Sequence, residues 1–216
     1  MLVIAPPSPQ NLSMKPQTQS DQAKPVPGLR ERKKARTKAA IQREAVRLFR
    51  EQGYTATTIE QIAEAAEVAP STVFRYFATK QDLVFSHDYD LPFAMMLQAQ
   101  SPDLTPIQAE RRTIRSMLKD IPAEELALQR ERWVLIISEP ELWGASLGNM
   151  SRTMEIMSEQ VAKRAGREPS DATVRAYTGA VFGVMLQVSL EWAKDPEMDF
   201  TVALDEALLC LEDLRP

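Results

Sequence analysis

From Leu29 onward the apolar residues fall at helical spacing, and no stretch alternates in the way a half-buried strand would. Ile41, Ala45, Leu48 and Phe49 predict a first helix, which Gly53 ends as a C-cap. Thr57 or Thr58 opens a short second helix. Glu60 or Gln61, three residues on, completes a capping box, and Ile59, Ile62, Ala63 and Ala66 form the buried stripe. Glu67 and Val68 make a turn. The third helix starts at Ala69, a weak N-cap, followed by Pro70 at the favoured first position, and its apolar residues are Val73, Phe74 and Phe77. Thr79 is placed to cap a fourth helix running through Leu83 and Val84 and kinked or ended near Pro92.

Prolines at 102, 106, 122, 140, 169 and 196 then punctuate further helices. Trp143, Leu147, Met150, Met154, Met157 and Val161 recur by four and three, a pattern that predicts a packing seam. Val174 to Trp192 is apolar on more than one side, and Phe200, Ala203, Leu204, Ala207, Leu208 and Leu211 make a final amphipathic helix. The expected fold is all-α: three N-terminal helices in residues 29–78 and a larger helical domain in residues 79–216.

Composition sharpens the boundaries. Residues 1–28 contain six prolines among many Gln and Ser, so they read as a disordered leader, and Met14 is an alternative start. The net charge of −4 hides an asymmetry. Residues 1–80 hold thirteen Lys and Arg against seven Asp and Glu, a surplus of six positive charges; residues 81–216 hold thirteen against twenty-three, a deficit of ten. A basic end on an acidic body suggests a polyanion-binding module joined to a body with another task.

Cysteine usage fits a reducing compartment. Cys210 stands alone, in an apolar helical stretch where a buried, inert thiol is expected. No signal peptide is visible, and Gln187, Ser189 and Glu191 interrupt the most apolar run, which argues against a membrane span. The expected location is the cytoplasm.

Two short helices behind a basic one allow a helix-turn-helix, and the residues from Gly53 to Lys80, GYTATTIEQIAEAAEVAPSTVFRYFATK, carry more than that pattern. They resemble the TetR-family signature, which runs roughly G-(F/Y)-x-x-T-T, then I-A-x-x-A-G-V-S, then G-T-(L/F)-Y-x-(Y/H)-F-x-x-K. The resemblance covers about fifty residues, 30 to 85. It departs at Glu67, where glycine is common, at Ala69, where a capping serine is usual, and at Phe74, which lacks the hydroxyl of the usual tyrosine and with it a phosphate contact. A left-handed backbone at Glu67 would cost about 1 kcal/mol.

The resemblance implies that the third helix enters the major groove of operator DNA. Ser71, Thr72 and Arg75 would then lie at base edges, with the Arg75 fork matched to guanine O6 and N7. Tyr76 and Lys80 match the family's phosphate-contacting positions, and Thr57 or Thr58 would touch the backbone at the start of the second helix. Arg30, Arg32, Lys33 and Arg36 would form an arm on phosphate or in the minor groove. A solvated basic face, and Tyr76 as a packing residue with a wet hydroxyl, are the plainer readings of the same residues.

For the body, the resemblance implies a homodimer through about 170–194 and 200–214, with Gly179 and Gly183 permitting close approach, and a small apolar inducer. Seven of the ten methionines lie between Met95 and Met185. The residues expected to line the inducer pocket are Phe93, Met96, Met117, Trp133, Trp143, Met150, Met154, Phe182 and Met185, each of which would serve equally as ordinary core. A narrower resemblance rests on His87-Asp88-Tyr89-Asp90-Leu91-Pro92, Pro102, Thr105-Pro106 and Glu139-Pro140-Glu141-Leu142. These look like an actinobacterial TetR subgroup with acyl-CoA-like ligand domains that includes mycofactocin-linked regulators. That likeness would put Arg111, Arg112 and Arg115 on phosphates, while a solvated helix face explains them too.

Two rivals remain in view. An enzyme would need a site that the chain does not display: His87 and Cys210 stand far apart, with no metal-ligand spacing, P-loop or nucleophile elbow, so no catalytic residue, metal or cofactor is expected. A structural DNA-binding protein without a ligand would share the first eighty residues and lack a sizeable apolar pocket.

Overall fold

The computed structural model describes residues 28–85 and 90–213. Among the described residues there are nine α-helices and one 3-10 turn, and no strand. The leader expected at 1–28 lies outside them except for Gly28, as does His87 with its neighbours through Tyr89.

Three helices build the N-terminal head: α1 (Leu29–Gln52), α2 (Ile59–Ala65) and α3 (Pro70–Tyr76). Their apolar stripes converge on one cluster containing Ile41, Ala45, Val46, Phe49, Tyr54, Ile62, Val73 and Phe77. Gly53 ends α1 with φ 89°, a conformation open to glycine at little cost. Thr58 closes the capping box of α2: its hydroxyl accepts from Gln61 N, and Gln61 Oε1 accepts from Thr58 N at 2.8 Å. Glu67 does adopt the left-handed region, with φ 54°, and Val68 N donates back to Ala63 O at 2.9 Å, closing the turn between α2 and α3.

The fourth helix differs from the expectation. Thr79 and Asp82 cap each other's backbone N–H groups, but the segment they open is a 3-10 turn, Gln81–Leu83. The next α-helix, α4, spans Asp90–Gln98, so Pro92 lies in its first turn instead of ending a helix. Proline is tolerated there because the first N–H groups of a helix have no partner to lose. Leu83 and Val84 join the cluster of the head, so the boundary expected after residue 78 crosses a continuous core.

The body continues with α5 (Pro106–Lys119), α6 (Ala123–Ser138), α7 (Pro140–Ala165), α8 (Ala172–Lys194) and α9 (Phe200–Asp213). α8 packs on α6, α7 and α9, and α9 packs on α5. Along α7 the buried row is Leu142, Ser146, Met157, Val161 and Ala162; Trp143 and Leu147, expected in a seam, are exposed. The small Ser146 on the inner face conceals the true stripe from a reading that tracks the largest side chains. Cys210, expected to be buried, is exposed for a similar reason: Leu204 and Leu208 define the inner side of α9, and Cys210 lies away from it beside Leu209. No helix among the described residues is long and apolar enough to cross a membrane.

Candidate nucleic-acid interface and ligand cavity

The head carries a row of exposed basic side chains along the start of α1. Arg30, Arg32, Lys33 and Arg36 are exposed on the first turns of α1, so they form a helical extension and not an irregular arm. On α3, Ser71 and Arg75 are exposed, Thr72 and Tyr76 are half-buried, and Val73 faces the core. The Arg75 guanidinium lies 5.3 Å from the centroid of the Tyr76 ring, which limits its sweep while leaving its N–H fork available. Phe74, expected among the apolar residues of the helix, is 55% exposed and stands in the same polar surface.

Two residues expected at DNA phosphates are engaged inside the head. Thr57 is 2% exposed; its hydroxyl donates to Gly53 O at 2.8 Å and accepts from Gln52 Nε2 at 3.2 Å. Of the pair, Thr58 is therefore the residue at the surface. Lys80 folds back beneath the loop after α1. Its ammonium donates to Tyr54 O and sits 4.3 Å from the Tyr54 ring centroid. Burial pushes its pKa down, with Glu141 and Glu139 opposing that shift. Lys80 thus pins the loop between α1 and α2. The sequence signature marks the position, but only the folded chain shows which oxygen the ammonium meets.

The head is joined to the body through packing. Leu135 and Ile136 of α6 and Leu142 of α7 belong to the same buried cluster as Phe49 and Ile62. Polar ties reinforce the joint: Arg50 pairs with Glu131, and Gln81 Nε2 donates to Glu141 Oε1 at 3.1 Å.

Behind that joint two cavities open among the helices of the body. One chamber of about 220 Å³ lies among α6, α7 and α8, walled toward the head by Val84, Phe85, Trp133 and Ile136. A second, of about 250 Å³, reaches toward α4, α5 and α9. Of the nine residues expected around an inducer, Phe93, Met117, Trp133, Met150, Phe182 and Met185 line one or both chambers. Met96, Trp143 and Met154 line neither, Trp143 because it is on the outer face of α7.

The body also holds polar groups that residue patterns did not suggest. Glu110 on α5 is 1% exposed; its Oε2 accepts from Tyr177 OH at 2.6 Å, and burial raises its pKa to about 7. It sits between Ile107 and Ile114 on the inner face of α5, and that apolar register is the signal that could have found it. Arg111, one of three arginines considered for phosphates, instead bridges α5 to Glu212 at 2.8 Å and Asp205 at 3.3 Å on α9. Arg112 and Arg115 are exposed. Among the described residues no cluster of His, Cys, Asp and Glu is arranged to hold a metal ion.

Comparison with known proteins places this geometry. Residues 41–86 match the family described as bacterial regulatory proteins, tetR family, and residues 104–216 match the family described as MftR C-terminal domain. The chain is 34% identical over 201 residues to the HTH-type transcriptional regulator TcmR of Streptomyces glaucescens, covering 88% of each protein. It is 27% identical to MftR of Mycobacterium tuberculosis over 82% of this chain and 89% of that one. Among solved structures it resembles NalD, the secondary repressor of a multidrug efflux pump in Pseudomonas aeruginosa. That likeness has a TM-score of 0.57 at 20% identity, over 84% of this chain and 96% of the other.

Proposed function

This chain belongs to the TetR family of bacterial regulatory proteins, and from that premise we propose that it is a homodimeric repressor released from operator DNA by a small, largely apolar inducer. The observation that carries the proposal is a shared wall. Val84, Phe85, Trp133 and Ile136 line the inner chamber and also pack into the cluster that holds the head together. A ligand that fills the chamber presses on residues that position α1 and, through it, α3.

The mechanism is linkage. A dimer presents two α3 helices to successive major grooves about 34–36 Å apart. An inducer that prefers a different spacing lowers operator affinity by its differential affinity for the two arrangements, about 1–3 kcal/mol in typical cases. On DNA, Arg75 reads guanine, Ser71 and Thr72 stand beside it at base edges, and Thr58 and the Arg30–Arg36 turns meet phosphates. The dimer forms through α8 and α9. Gly179 and Gly183, four residues apart on α8, support that reading, because residues without side chains permit close approach of a second helix. The protein works where the bacterial chromosome is, in the cytoplasm.

A structural DNA-binding protein without ligand fits the same head, but the two chambers have no purpose in that reading. The test is a salt-dependent fluorescence-anisotropy titration against DNA flanking its own gene, with scrambled DNA as control. Palindrome-dependent binding by a dimer is expected. Equal affinity for scrambled DNA would reject the repressor reading for that site. Arg75→Ala should lose about 1–3 kcal/mol of discrimination at one base pair, and an equal loss on all sequences would defeat its role at guanine.

A further inference from the structure

Phe74 is the large apolar member of the α3 surface that the repressor reading, on which this inference rests, turns toward DNA. Phe49 and Phe77, the phenylalanines of the head core, are 2% and 4% exposed, whereas Phe74 is 55% exposed and takes no part in that cluster. Helical geometry explains the difference. Successive residues step by about 100° around the axis, so Val73 and Phe77 share the inner face while Ser71, Phe74 and Arg75 share the outer one. On that outer face Phe74 and Arg75 flank Ser71 on opposite sides. The Arg75 guanidinium leans on the Tyr76 ring, 5.3 Å from its centroid and on the side away from Phe74.

A phenyl ring in the major groove has few suitable partners. Laid over guanine O6 and N7, adenine N6 or cytosine N4, it strips water from polar atoms and returns no hydrogen bond. Laid against a phosphate, it does the same to a charge. The apolar group on the groove floor is the C5-methyl of thymine, and phenylalanine is a side chain that contacts it. The tyrosine usual at this place in the TetR signature has a hydroxyl to offer a phosphate oxygen. Phe74 offers only its apolar ring.

We infer that Phe74 reads thymine: in each operator half-site its ring packs on a thymine C5-methyl near the guanine that Arg75 reads, to the other side of Ser71. Adjacent side chains of α3 thus specify two nearby base pairs by different means, Arg75 by hydrogen bonds and Phe74 by apolar contact. Phe74 makes the head selective where the family signature places a contact that carries no sequence information.

The test uses the full-length protein and the half-site that it enriches from random duplex DNA. Each thymine is replaced in turn by uracil, which lacks only the methyl. Burial of one methyl group is worth about a fourfold change in affinity, so one thymine per half-site should show about a fourfold loss, and both half-sites together about fifteenfold. Phe74→Ala, a change at an exposed position to a residue that suits a helix, should bind the thymine and uracil duplexes alike. Equal affinity of the parental protein for thymine and uracil at every position overturns the inference. So does a methyl effect that survives in Phe74→Ala, or an enriched half-site without thymine. Each of these outcomes leaves the repressor reading standing, because each is read on a specific site. Enrichment of no palindrome would reject that reading and this inference with it.

Discussion

The head and the body are fastened by ties of different reach. In the head the ties are short in sequence: the capping box joins Thr58 to Gln61, Thr57 bonds Gly53, and Lys80 reaches 26 residues back to Tyr54. In the body they span sixty residues or more. Arg111 meets Glu212 101 residues away, Arg130 donates to Trp192 O at 2.9 Å across 62 residues, and Arg164 holds the loop before α5 through Ser101 and Leu104. Local ties make the head a compact unit that can be carried as one piece on α6. Long ties hold together the helices that frame the two cavities of the body. A regulator needs both, a stiff reader and a body whose packing is incomplete.

The sharpest way to break this contrast is through Glu110. Its folded pKa of about 7 lies above the usual 4.5, so the folded state holds a proton that the unfolded chain has lost in that window. The associated stability is fully present below about pH 4.5 and is lost as pH rises through about 7, a total of about 3 kcal/mol. Glu110→Gln should flatten the fall in urea midpoint between those pH values and be more stable than the parent at pH 8. An unchanged pH profile in the variant would remove Glu110 as its source.

Next comes Lys80. Losing a charge-assisted hydrogen bond to Tyr54 O should cost Lys80→Ala about 2 kcal/mol of stability while leaving the salt slope of DNA binding intact. A slope smaller by about one, at unchanged stability, would return Lys80 to the phosphates. The two threonines should also separate. Thr57→Val should destabilise by about 1 kcal/mol without altering the salt slope, because its hydroxyl is spent inside the head. The smallest effect is a gain: Glu67→Gly should raise stability by about 1 kcal/mol by relieving the left-handed backbone, read as a shift in denaturant midpoint. No gain would mean that the turn stores little strain.

The same difference in reach explains what was legible in the amino-acid sequence. Gly53, Thr58 and Pro70 signal helix ends through their own backbone chemistry, so the head could be drawn almost element by element. The choice between Thr57 and Thr58 needed the position of Leu48 and Gly53 O, and the fate of the Lys80 ammonium needed the Tyr54 loop. In the body, the helical character and the paired final helices emerge from periodicity, but orientation does not. Trp143 and Leu147 outweigh Ser146 in hydrophobicity and still face outward, because the inner side of α7 is shaped by the chamber it helps to line. The polar wall of that chamber, with Arg132, Ser146, Asn149 and Ser189, is invisible to any reading that looks for apolar pocket residues alone.

The central claim is that the chamber and the head share one wall, and the most direct test fills the chamber without a ligand. Met150 lines it and is half-buried, so Met150→Trp puts a larger side chain into the cavity at modest packing cost. Operator affinity of this variant, measured by fluorescence anisotropy on a dimer of unchanged helicity, should fall about fivefold or more. Parental affinity in a folded, dimeric variant with its chamber filled would contradict the account.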